Sequence, residues 1–127
     1  MLYVALAFAG LAALVHVYIF VLESLRWERP ATRAVFGTDE TTAAITRPLA
    51  YNQGFYNLFL AIATIVGIGL SGPDRDAGLA LVVFATASML AAALVLVGSD
   101  RTKARAAIVQ GAFPLIALLD LAVWALA

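Results

Sequence analysis

The twenty residues Tyr51–Leu70, YNQGFYNLFLAIATIVGIGL, decide the fold. They carry no charge, and at about 1.5 Å per residue they are long enough to cross ~30 Å of hydrocarbon as a helix. The second half is apolar throughout. The first seven residues, YNQGFYN, are of another kind: two Asn, one Gln and two Tyr among seven positions. A helix that seeks lipid yet begins with so many hydrogen-bonding side chains must have somewhere other than lipid to put them.

Three further segments meet the same criterion, at about 2–25, 77–97 and 106–126. The chain as a whole is 127 residues, 64% hydrophobic and 13% charged, with a mean hydropathy of +0.97. Soluble domains are roughly 45–50% apolar and cannot hide such a composition. A soluble four-helix bundle would also need a polar face on each helix, and the third segment has none. The first segment is too long for a signal peptide, lacks a basic leader, and carries His16 and Glu23. The expected fold is therefore all-α: a polytopic membrane protein forming a single four-transmembrane-helix bundle over residues 1–127, multi-pass in a bacterial inner membrane. The lipid bilayer is its first expected partner. Zero net charge without a polybasic run speaks against nucleic acid. The absence of Cys excludes disulfides and thiolate chemistry. A single His beside one nearby Glu falls short of the three protein ligands of a catalytic zinc, so no metal is expected.

The connections differ in length and charge. Residues 26–50 form a long one, in which TDETTAAI (Thr38 to Ile45) is a capping signature that predicts a short surface helix. SGPDRD (Ser71 to Asp76) is a tight turn, and GSDRTKAR (Gly98 to Arg105) is short and basic. The first and third connections hold Arg26, Arg29, Arg33, Arg47, Arg101, Lys103 and Arg105, against Arg75 alone on the other side. The positive-inside rule then puts both of these connections in the cytoplasm and both termini on the outer, periplasmic side.

With that orientation, polar groups gather in the cytoplasmic half of the bilayer. Asn52, Gln53, Tyr56 and Asn57 fall within about 140° of arc in the first two turns of the second span. On the first span, His16 and Glu23 are seven apart and share a face. Gln110 sits near the cytoplasmic entrance of the fourth, where Pro114 leaves its carbonyl without a backbone donor. Facing lipid, such groups have no partner, so they turn toward protein or a water-filled cavity. The expectation is a polar pocket open to the cytoplasm. Interhelical packing is the alternative, with Glu23 paired to Arg26 or Arg47. Asp120 lies deeper, toward the outer half.

The strings HVYIFVLE (His16 to Glu23), AVFG (Ala34 to Gly37), NQGFYNLFLA (Asn52 to Ala61) and VQGAFP (Val109 to Pro114) resemble the bacterial family catalogued as domain of unknown function 1304. The likeness runs over essentially the whole chain and implies a small integral membrane protein without a named activity. In outline, RPLAYNQGFYNLFLA (Arg47 to Ala61) is also similar to the MAPEG family of glutathione and eicosanoid metabolism. That family has four helices, luminal termini and a long cytosolic first connection. Arg47 and Asn52 are the candidate counterparts of its motif. The Asn stands one position late, and Gly54 replaces the expected acidic residue.

Together these readings point to a membrane enzyme acting on a small amphiphilic, lipid-like substrate. His16 would be the proton shuttle and Glu23 would orient it or act as a second acid/base. Arg47, Tyr51, Asn52, Gln53, Tyr56, Asn57 and Gln110 would bind substrate. The MAPEG resemblance implies glutathione as an anionic cosubstrate held by Arg47, Arg101 and Arg105. The alternatives are a small transporter or binding protein, with Glu23, His16 and Asp120 at increasing depth, or a structural subunit. An Ala-rich third span is compatible with a homo-oligomer. The topology has its own test: alkaline phosphatase fused after Ala127 should be active and a fluorescent protein at the same site dark. The reverse pattern would overturn the orientation.

Overall fold

The computed structural model describes residues 1–127. Helix α1, Leu2–Phe20, runs on into a π-helical turn, Val21–Leu25. A short α2, Pro30–Phe36, precedes the long α3, Glu40–Leu70. Helix α4 spans Arg75–Ser99, and a 3₁₀ turn, Arg101–Lys103, leads into α5, Ala104–Leu126. Four of these segments are long and apolar enough to cross a membrane: Leu2–Leu25, Glu40–Leu70, Arg75–Ser99 and Arg101–Leu126.

The four long helices form a ring, α1 on α3, α3 on α4, α4 on α5 and α5 on α1, with little contact across the diagonal between α1 and α4. Adjacent helices are antiparallel. Glu23, in the π turn after α1, meets Asn57 just past the middle of α3, and Gly10, earlier in α1, lies level with Ile68 near the end of α3. Both termini therefore sit at one end of the bundle and the basic connections at the other.

Small residues fill the centre. The buried positions include Ala5, Ala9, Ala12 and Ala13 of α1, Ala61 and Gly67 of α3, Ala85 and Ala93 of α4, and Gly111 and Ala117 of α5. Large apolar side chains such as Leu14, Phe59, Phe84 and Leu119 point outward. In water this distribution would be unfavourable. In lipid it is the expected one, because apolar burial no longer drives helix association and close backbone packing does. The closest approach of backbone to backbone joins α3 to α4, where a Cβ built on Gly78 would lie 2.5 Å from Ser71 N and 2.7 Å from Gly67 O.

Three spans agree with their expected limits to within two residues. The second does not: its helix starts at Glu40, not Tyr51. Asp39 caps it, accepting from Thr42 N at 2.8 Å and from Thr42 Oγ at 2.9 Å. These bonds, the backbone one foremost, hold the Asp39 carboxyl below the usual carboxylate range. The capping signature thus marks a real start, but the helix it opens continues through Pro48 into the apolar run. The separate short helix is α2 instead, begun by Pro30 in the first turn and ended by Gly37 at φ 64°. At about 1.5 Å per residue the 31 residues of α3 reach roughly 46 Å, about half as long again as the hydrocarbon core. Trp27 braces the surplus. Its indole Nε1–H is shared between Ala43 O (3.1 Å) and Thr46 Oγ1 (3.2 Å), and its ring packs at a tilt against Phe36, with centroids 5.0 Å apart. Lys103 Nζ donates to Phe36 O and ties in the third connection.

Gly78→Ala should destabilise the fold by about 1–3 kcal/mol, the usual cost of overpacking, because the atoms it meets are backbone and cannot rotate away. Gly98, on open surface within α4, should tolerate Ala with no loss. Denaturant unfolding of both variants in mixed micelles checks this; equal behaviour would show that the α3–α4 contact does not set stability.

Candidate functional site

The last turn of α1 is wider than an α-helical turn, and such π turns often occur at functional sites. The widening carries Glu23 and Ser24 to α3, which receives them at Gly54. A Cβ there would collide with Ser24 Oγ and lie 3.0 Å from Ser24 N and 3.1 Å from Glu23 Cβ, so any side chain at this position would displace the Ser24 hydroxyl. Ser24 Oγ donates to Tyr51 O at 2.8 Å. Asn57 Nδ2 donates to Glu23 Oε2 at 2.8 Å and to Gln53 O, within its own helix, at 3.1 Å. Asn57 is buried and Glu23 half-buried.

Glu23 is also the floor of an open cleft of about 200 Å³. Its walls come from Ser24, Leu25, Arg26, Trp27, Glu28, Arg29 and Arg47. Arg47 Nε lies 3.4 Å from Glu28 Oε2, with both side chains largely exposed. An ion pair of this kind contributes little and leaves the guanidinium free to exchange partners. Arg26, Arg29 and Arg47 thus share the cleft lining with two carboxylates, of which Glu28 pairs with Arg47 and Glu23 is held by the Asn57 amide.

The expected site assembles only in part. Glu23, Asn57 and Arg47 come together as expected, with Glu23 bonded to Asn57 and not to Arg26 or Arg47. His16 does face inward and is fully buried, but its Nδ1 bonds to Ala12 O at 2.8 Å, one turn back in α1, and Nε2 has no partner. It forms no hydrogen bond to α3. Spacing misleads here because it fixes a face and not a partner: the His16 ring bonds within its own helix, while Glu23 bonds across to α3. Tyr51, Asn52, Gln53 and Tyr56 are exposed and line no internal pocket. The inward stripe of α3 is Ala50, Gly54, Asn57, Ala61 and Thr64, a narrower arc than the expected polar face, and it takes only Asn57 from that face. Gln110 and Asp120 are half-buried without a side-chain hydrogen bond, and Arg101 and Arg105 are exposed away from the cleft. No three His, Asp or Glu side chains come close enough to hold a metal ion. Sequence reasoning missed Ser24, Leu25, Arg26, Trp27, Glu28 and Arg29 as cleft residues, having read Arg26 and Arg29 mainly as orientation charges. The available signal was the pairing of a Glu-Ser dipeptide at one helix end with a glycine on its neighbour.

A family model described as Protein of unknown function (DUF1304) matches residues 10–122. The chain belongs to the DUF1304 family. The matched span takes in most of α1, the π turn, the whole cleft and α2 to α4, ending near the end of α5. No curated protein and no solved structure matches the chain.

In this DUF1304 protein, Asn57→Ala removes the donor that faces the half-buried Glu23 carboxylate and should cost about 1–3 kcal/mol. Glu23→Gln keeps an acceptor for the Asn57 amide and should cost less than about 1 kcal/mol. Unfolding of the two variants in detergent tests the order; the opposite order would mean that the amide does not hold the carboxylate.

Proposed function

We propose that this DUF1304 protein lies in a bacterial inner membrane with both termini outside, and that its cytoplasmic end binds the polar head of a small amphiphile. The excess of basic residues at the connection-bearing end supports the orientation. One observation carries the binding reading. The Glu23 carboxylate, on a membrane-length segment, is bonded by Asn57 on one side and opens on the other to a cleft with Arg26, Arg29 and Arg47. A carboxylate serving only to pack helices needs the amide but not an open cleft whose lining also holds three arginines.

The chemistry follows from the lining. Guanidinium groups match a phosphate, sulfate or carboxylate bidentately. Glu23 accepts a hydrogen bond from a hydroxyl or amine beside that anion. Leu25, exposed at the mouth, continues into the apolar surface that an alkyl tail would follow. With His16 sealed inside the bundle, Glu23 is the acid/base group best placed to exchange a proton with a bound headgroup, so the enzymatic form of this reading is proton transfer to or from the amphiphile. A glutathione-like anionic cosubstrate, the narrower reading, finds support in Arg47 alone, since Arg101 and Arg105 stand apart from the cleft.

The two tryptophans make the test direct. In a Trp124→Phe background, Trp27 in the cleft wall is the sole indole. Titrating nanodiscs of zwitterionic lipid with dodecyl phosphate should change its fluorescence saturably, while dodecanol should not. Arg47→Ala should weaken the response ~10-fold, about 1.4 kcal/mol for the lost charge-assisted contact. A response that is absent, or unchanged in both Arg47→Ala and Glu23→Gln, would leave the cluster as packing.

A further inference from the structure

The outward residues of YNQGFYN remain without a role. Asn52 and Tyr56 stand on the face of α3 turned away from the bundle, one turn apart, and neither side chain forms a hydrogen bond. They belong to a longer row. Ile45, Leu49, Asn52, Tyr56, Phe59, Ala63 and Val66 follow one another at alternating steps of four and three, the seam spacing of a coiled coil, over three heptads. Ile45 and Leu49 are 74% and 73% exposed, Tyr56 and Phe59 more than half exposed, and Ala63 half-buried. Every position on the row is uncharged.

We propose that this row is a self-association seam, on which α3 of a second copy of this chain packs in parallel. Lipid covers the row only in part. Helix α3 is about half as long again as the hydrocarbon core, and its first turns project beyond it. Trp27 holds that projection against the end of α1 through Ala43 and Thr46, so it does not lie down in the headgroup layer. Ile45 and Leu49 are thus large apolar side chains aimed into a polar region, and only protein can cover them there.

The occupant is a second copy for two reasons. The bilayer gives all copies one orientation, so two α3 helices related by an axis along the membrane normal run parallel, and same-numbered residues meet. Each residue on the row suits its own double: apolar against apolar, ring against ring, and Asn52 amide against Asn52 amide, a group that is both donor and acceptor. On this spacing Asn52 falls at a d-type position, and a lone polar residue on an otherwise apolar seam fixes the register, because any slip would set its amide against an apolar side chain. Pro48 stands beside the row and not on it. The neighbouring strip is more occupied: Phe55 packs between Phe20 and Tyr51 at 5.1 Å each, while Phe59 on the row meets Phe55 only at 6.2 Å and remains more than half exposed.

The chain has no Cys, so single replacements report without background. Ile45→Cys, Asn52→Cys and Phe59→Cys should each give a disulfide-linked dimer when membranes are treated with copper–phenanthroline. Tyr51→Cys and Ile62→Cys, also on exposed surface, should remain monomeric. Native mass spectrometry of the untreated protein should show two copies, and Asn52→Asp, which sets like charges against each other, should shift the distribution at least ~10-fold toward one. Dimers formed at the control positions and not on the row, cross-links only to a different protein, or a wild-type monomer without cross-links would each overturn the proposal.

Discussion

Where α1 ends against α3, two backbones come close enough that any side chain on Gly54 would meet Ser24 and Glu23, and the polar end of the molecule follows from that contact. The approach is what lets Ser24 reach the Tyr51 carbonyl and Asn57 reach the Glu23 carboxylate. It also places the chain after α1 so that Trp27 buttresses α3 and the arginines following it ring the cleft. A larger residue at position 54 would have to displace Ser24 and Glu23, and with them both of these hydrogen bonds. One missing methyl group therefore connects the packing of the bundle to the chemistry at its end.

Elsewhere the membrane-facing design leaves few polar groups to account for, and most are satisfied locally. Thr64, Ser71, Thr86 and Ser88 return their hydroxyls to carbonyls of their own helices, at 2.6–2.9 Å. His16 does the same through Nδ1. Groups closed on themselves in this way fit inside an apolar bundle without cost to neighbouring helices, and they present nothing to a ligand. Glu23 differs in kind. It is a carboxylate held from another helix and open on its remaining side.

The fold was legible because lipid imposes a length rule: runs of about twenty apolar residues have few other uses. The capping signature at Asp39 was legible as a helix start, but what lay beyond it was not, because Pro48 reads as a break and a long helix can absorb one missing hydrogen bond. The site was half legible. A row of polar residues at a helix entrance says that they avoid lipid without saying which way each one faces. Angular counting grouped Asn52, Gln53, Tyr56 and Asn57, whereas the width of the actual contact admits Asn57 alone. A seven-residue spacing tied His16 to Glu23, but it could not show that the His16 ring closes on its own helix while Glu23 bonds across to α3.

That division of one polar stretch between an inner and an outer face can be measured on the amides themselves. Asn52 and Asn57 are the chain's two asparagines, so selective ¹⁵N-asparagine labelling gives two side-chain amide signals in nanodiscs. On addition of dodecyl phosphate, the Asn57 amide, bonded to the floor of the cleft, should shift saturably while the Asn52 amide stays in place. A shift at Asn52 with none at Asn57 would contradict the account.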